Sequence, residues 1–236
     1  MSAENIFKIY TKGTKRKFNK FLGMVQKDPY MKYKEISILK EIFKNLQPKK
    51  CLEYGCGTST IYYLNHLPKG ADWYSIEHHK GWFDKMQSQN IYDNLHLSHV
   101  ELEDVEPTTL AEDAYVNYPE QFGQFDFILV DGIRREHCIY KAHELLSENG
   151  LLIVHDSNRT EYHDLIKEFP NWMILQDFRK TAGGIGFASK QLDLNKLISI
   201  EPHLKLWKTD TAISNFFKFK FFLGKKTKKF AFEKSF

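Results

Sequence analysis

"CLEYGCGTST", residues 51–60, sets two glycines one residue apart, Gly55 and Gly57, with a carboxylate, Glu53, two residues before the first and three hydroxyl side chains after. A turn of this composition either lets the chain reverse or holds a ligand, and its surroundings decide between the two. "KCLEY" reads as a strand and "STIYYLNHL" as a helix, so the glycines sit where a strand passes into a helix. Glycine there permits unusual φ and lets a ligand approach the backbone closely. The start of the helix adds free N–H groups.

The same alternation continues outward. "DWYSIE" (72–77), "LHLSHV" (95–100), "FDFILVD" (125–131) and "GLLIVHD" (150–156) read as strands. "GWFDKMQSQ" (81–89), "REHCIYKAHELL" (135–146) and "EYHDLIKEF" (161–169) read as helices, and "NWMILQDF" and "GGIGFAS" as two final strands. Upstream, Ile36, Leu39, Ile42, Phe43 and Leu46 recur at helical spacing over 31–46. Strand then helix, repeated, predicts an α/β fold: a doubly wound, mostly parallel sheet with helices on both faces. Three parts are expected: a basic helical extension over 1–47, the sheet domain over 48–190, and a basic, aromatic extension over 191–236. Ligands bind such sheets at the carboxyl ends of the strands. Here those ends read Glu53-Tyr54-Gly55, Glu77-His78-His79, Asp131-Gly132 and His155-Asp156-Ser157-Asn158. Four polar endings on one edge point to a single site.

The 236 residues are 42% hydrophobic and 27% charged, an ordinary globular composition. Net charge is +4, but residues 1–34 carry +7 and residues 216–236 carry +6, which leaves −9 for the middle. An acidic body with basic ends argues against a nucleic-acid groove across the fold. Cys51, Cys56 and Cys138 form no paired metal spacing and fit reduced thiols. The first residues lack an uninterrupted apolar segment of the secretory kind, and no apolar run approaches the ~18 residues of a membrane span. A cytoplasmic protein is expected.

A complete G-x-G-x-x-G would cradle a pyrophosphate, but Thr60 stands at the third glycine position. A carboxylate at Glu53 suits an ammonium or sulfonium better than phosphate. Both facts disfavour a nicotinamide-dependent oxidoreductase. Glu77, about 20 residues beyond the loop, suits a ribose diol, which offers two O–H donors to one carboxylate.

"LEYGCGTST" resembles motif I, E/D-x-G-x-G-x-G, of the class I S-adenosylmethionine-dependent methyltransferases, with Ser59 at the last glycine. "YSIEHHKGWF", "FDFILVDG" and "GLLIVHDSNR" follow in family order, and the similarity covers residues 48–190. The resemblance implies a seven-stranded Rossmann-like sheet whose last strand, "GGIGFAS", inserts antiparallel, and S-adenosyl-L-methionine as cofactor. It places Glu53, Gly55 and Gly57, with Thr58 and Ser59, along the methionine part. Glu77 would take the ribose hydroxyls, His78 would lie beside the adenine, and Asp131 would border the cofactor. Glu101 is a weaker candidate for the adenine edge.

Methyl transfer from a sulfonium is an in-line displacement, and a hydroxyl acceptor needs a base or a metal to make it reactive. Asp131, His155 and Asp156 are the catalytic candidates, with His155, near neutral at pH 7, to take the proton. Asp131, Asp156 and Asn158 can also offer oxygens to a divalent cation. The Asp-Asn pair of metal-dependent relatives is interrupted here by Ser157, so a metal is the less favoured option. "VDGIRREHC" and "VHDSNRTEY" are locally similar to enzymes that O-methylate glucuronic acid on xylan, which suggests a sugar or other hydroxylated acceptor. Arg134, Arg135 and Arg159 would then flank the pocket mouth, pairing with a carboxylate or phosphate or forming surface salt bridges. Tyr115, Tyr118 and Phe122 could form a lid, a sugar-stacking wall or core. The Phe/Lys segment 215–236 suits peripheral contact with the inner face of a membrane, a partner, or packing on the domain. An aminopropyltransferase on the same scaffold and a non-catalytic cofactor-binding module are the alternatives.

Overall fold

One sheet of eight strands, in the order β3-β2-β1-β4-β5-β7-β6-β8, organises the computed structural model. The structure describes residues 29, 31–102, 109, 112–221 and 229–235, and the side chains of all of these except 216–221. In chain order the elements are α1 (Tyr33–Leu46), β1 (Lys50–Tyr54), α2 (Thr58–Leu64), β2 (Asp72–Glu77), α3 (Lys80–Gln89), β3 (Leu95–His99) and α4 (Ala114–Asn117). Then come β4 (Phe125–Val130), α5 (Arg135–Leu145), β5 (Leu146–His155), α6 (His163–Lys167), β6 (Asn171–Gln176), β7 (Ile185–Ser189), α7 (Leu194–Leu197), α8 (Ile200–Phe221) and β8 (Ala231–Lys234).

β1 to β5 run parallel, and β7 enters antiparallel between β5 and β6. This is the topology that the alternation and "GGIGFAS" imply. The sheet has one strand more than expected. β8, from the C-terminal segment, pairs antiparallel with β6.

Side chains alternate along each strand, so each strand feeds two cores. On one face Cys51, Trp73, Phe127, Leu129, Ile153 and Phe187 pack with Ile38, Leu39, Ile42 and Phe43 of α1 and with Leu204 and Trp207 of α8. On the other, Leu52, Ile76, Ile128, Val130 and Val154 pack with Cys138, Ile139 and Ala142 of α5. Each fully buried aliphatic or aromatic side chain contributes roughly 1.5–3 kcal/mol. The apolar stripe of α1 therefore makes that helix part of the sheet's covering layer.

Tyr115 is buried in the second core, and Tyr118 and Phe122 pack against it, so these aromatics serve packing and form neither lid nor wall. Phe230 and Phe232 pack against the first core. The rest of the Phe/Lys stretch, on which the membrane expectation rests, lies outside the described side chains. No helix among the described residues is long and apolar enough to cross a membrane.

Candidate functional site

The crossover after β1 leads into α2 and the one after β4 into α5, and the crevice opens between these two strand ends. Gly55 has φ +92°, and a Cβ there would lie 2.6 Å from Gly132 Cα. The two loops thus meet glycine to glycine, and this contact, more than a ligand, requires Gly55. Gly57 is different. Its backbone is extended, and an added Cβ would meet only Ser59 Oγ, at 3.7 Å. The space beside it is open.

Thr60, where a third glycine would stand, is a brace. Its Oγ1 accepts from Gly57 N at 2.9 Å and donates to Glu53 Oε2 at 2.6 Å. Glu53 Oε2 also accepts from Trp73 Nε1 and Ser75 Oγ, both at 3.0 Å. Glu53 is fully buried behind Thr60 and is not among the residues that line the cavity. Burial raises its pKa to about 8, against the three hydrogen bonds and with the help of Asp131.

Glu77, at the end of β2, accepts from Cys56 N at 2.8 Å and from His79 N at 2.7 Å, one bond on each oxygen. It therefore shapes the glycine loop while bordering a cavity of about 600 Å³. Gly55, Gly57, Thr58, Ser59, His78 and Asp131 line the same cavity, as the sequence suggests. So do Met31, Trp82, Ile133, Arg134, Arg135, Arg159 and Tyr162. Glu101 is exposed and lies off it.

His155 and Asp156 do not line the cavity. His155 Nδ1 lies 2.8 Å from Asp131 Oδ1, and its Nε2 lies 3.8 Å from Glu35 Oε2, too long for a hydrogen bond but close enough for charge pairing. Burial disfavours a charged ring, but Asp131 and Glu35 outweigh it and raise the pKa to about 10. With one ring nitrogen on Asp131, the other facing Glu35 and no place on the cavity wall, His155 is arranged to pair with carboxylates rather than to reach an acceptor in the cavity. Asp156 adopts φ +62° and spends its carboxylate on Gly183 N and Arg135. It ties the loop ends together and is not among the residues that line the cavity. Asp131 remains at the cavity wall. Burial opposes its charge, yet His155 and Arg135 hold its pKa below the usual range.

Glu35 is the functional neighbour that sequence reading missed. It is buried, and burial opposes its charge. His155, Arg179 and the Lys32 N–H bring its pKa down to about 2. Its signal was the spacing 35, 38, 39, 42, which sets it on the apolar stripe of α1.

No protein-family model and no curated protein matches the chain. Solved structures do match. An O-methyltransferase from Bacillus cereus in complex with SAH superposes with a TM-score of 0.55 at 16% identity, over 74% of this chain and 88% of that one. A putative O-methyltransferase from Klebsiella pneumoniae gives 0.52 at 16%, over 73% and 86%. A putative caffeoyl-CoA O-methyltransferase from Staphylococcus aureus gives 0.52 at 14%, over 73% and 88%. At such identities the likeness is one of architecture, and the chain has the Rossmann-like methyltransferase fold, mostly parallel with antiparallel C-terminal strands.

Proposed function

We propose that the cavity binds S-adenosylmethionine and that the protein transfers its methyl group to a hydroxyl of a sugar or other small acceptor. The observation that carries this reading is the convergence of the open Gly57 backbone, Glu77 and Asp131 on one cavity at the switch point of the sheet. Oε1 of Glu77 holds the His79 N–H and lies 3.0 Å from His78 Nδ1, while Oε2 holds only the Cys56 N–H among the described residues and keeps a lone pair for a ribose hydroxyl. S-adenosylmethionine supplies an electrophilic methyl on a sulfonium. Asp131 Oδ1 is committed to His155 and Arg135, while Oδ2 has no hydrogen bond among the described residues. That oxygen can orient an ammonium or an acceptor hydroxyl at the wall. With its pKa held low, Asp131 orients a hydroxyl better than it deprotonates one.

Calorimetric titration with S-adenosylmethionine, S-adenosylhomocysteine and NAD tests the proposal. Micromolar binding of the sulfur ligands alone is expected. Glu77→Ala should weaken it by about 10- to 100-fold, the worth of hydrogen bonds to a charged group. Folded wild-type protein that binds neither sulfur ligand would refute the reading.

A further inference from the structure

Asp131, His155 and Asp156 bring potential metal-ligating atoms within 4.8 Å of one another, at the ends of two central strands. Arg135, the first residue of α5, reaches into the same cluster. We propose that Arg135 fills, as a fixed guanidinium, the place a divalent cation would take between Asp131 and Asp156, and that the cluster thereby excludes metal ions.

The hydrogen bonds carry the argument. A guanidinium has five N–H donors, and all five of Arg135 are committed. Nε donates to Gly132 O at 2.9 Å. One terminal nitrogen donates to His155 O at 2.6 Å and Asp156 Oδ2 at 3.2 Å. The other donates to Asp131 O at 3.0 Å and Asp131 Oδ1 at 3.1 Å. The cation is bound to both carboxylates that a metal would need.

The remaining donors are equally unavailable. A metal ligand must offer a lone pair, so a histidine must be neutral at the bonding nitrogen. Both ring nitrogens of His155 face carboxylates, Asp131 and Glu35. The other oxygen of Asp156 accepts from Gly183 N. Asn158 turns into the fold. Its Oδ1 accepts from Asp177 N at 2.7 Å, and its Nδ2 donates to Asp177, Arg179 O and Ala182 O. Oδ2 of Asp131 is the one oxygen of these carboxylates left uncommitted among the described contacts. Ca²⁺ takes six to eight oxygens, and even Mg²⁺, which keeps several waters, is held by one or two carboxylates free to bind it; here a single oxygen is free, beside a fixed guanidinium.

Charge balance points the same way. Lys32, Asp210, Lys34, Asp177, Arg179, Glu35, His155, Asp131, Arg135 and Asp156 alternate in sign, each paired with the next by an ionic contact. Asp131 and Asp156 each already contact the Arg135 guanidinium, so a further dication would find no uncompensated carboxylate in the pair to offset its dehydration. Arg135 is thus a positioning residue that acts through Asp131. The inference rests on the methyl-transfer reading for its meaning, since it leaves acceptor activation to protein groups.

Its test needs neither cofactor nor acceptor. Full-length protein is titrated with Mn²⁺, and the free-ion electron paramagnetic resonance signal is followed. Wild type should bind none up to ~1 mM, the weak end of protein sites for such cations. Arg135→Met leaves two carboxylates uncompensated and should gain one site, at least about tenfold tighter than any wild-type binding. Adding Asp131→Asn should remove the site, and Arg135→Lys should remain blind to the ion. Arg135→Gln replaces Arg135→Met if the latter does not fold. A wild-type site that disappears in Asp131→Asn would overturn the proposal. So would a folded Arg135→Met or Arg135→Gln that stays blind. Failure of the cofactor reading shows separately, as absent S-adenosylhomocysteine binding with the Mn²⁺ results unchanged.

Discussion

Glu53 is cut off from water, and three neighbours donate to one of its oxygens while the other, Oε1, has no hydrogen-bond partner among the described residues. Desolvation therefore outweighs the hydrogen bonds, and the folded-state pKa stands near 8 against an ordinary 4.5. Between those values the folded state holds a proton that the unfolded chain has released, so stability falls as pH rises through the window. At about 1.4 kcal/mol per pKa unit, the loss across it is on the order of 5 kcal/mol. Glu53→Gln keeps the shape and removes the charge. Urea unfolding at pH 5 and pH 8 should show most of that difference disappearing in the variant. An unchanged difference would mean that Glu53 is ionised in the fold. Part of this was legible. Glu53 shares a strand face with Cys51, and that face carries the first core. The rest was not, because the partners that turn Glu53 inward lie on α2 and β2, and only the folded register brings them to it.

The ion pairs of α1 show what elements do for one another. Lys34 is almost fully buried, 3.0 Å from Asp177 and 2.8 Å from Asp210 of α8, with its ammonium 4.0 Å from the centre of the Trp207 ring. Removing one partner of a buried ionic group leaves the others uncompensated, typically at a cost of about 3–5 kcal/mol. Lys34→Met should lose about that much in denaturant unfolding, and Lys34→Met with Asp210→Asn should lose less than the two single changes together. Strict additivity would show that α1 and α8 are not coupled through this pair. The strands β1 to β5 were readable because a buried parallel sheet needs short apolar runs between amphipathic helices, and β6 and β7 because they too are short apolar runs. β8 was not, since "AFEK" has only the β6 edge to define it as a strand. The polar strand ends were visible as a group, but which of them face the cavity was not. Asp131 does, while His155 and Asp156 turn to Glu35, Arg135 and Gly183.

At the scale of the whole molecule the buried charges set a pH range that net charge does not. The chain's isoelectric point is about 8.7. Glu35 titrates near 2 in the fold against an ordinary 4.5, so its stabilisation is complete above 4.5 and lost as pH falls toward 2. His155 titrates near 10 against an ordinary 6.5, so its stabilisation is complete below 6.5 and lost as pH rises through 10. Glu53 adds a decline from 4.5 to about 8 in the same direction as His155. The three together place maximal stability near pH 4.5, where Glu35 is ionised and Glu53 has not begun to lose its stabilisation, well below the isoelectric point, because specific pairs and burial outweigh the screened sum of surface charge. Thermal melting from pH 3 to 10 at constant ionic strength should give its highest midpoint there and fall on both sides. His155→Gln should flatten the part of the alkaline limb above about pH 8, where Glu53 has finished titrating. A midpoint that instead peaks near the isoelectric point would show that the run from Lys32 to Asp156 does not govern the stability of the fold.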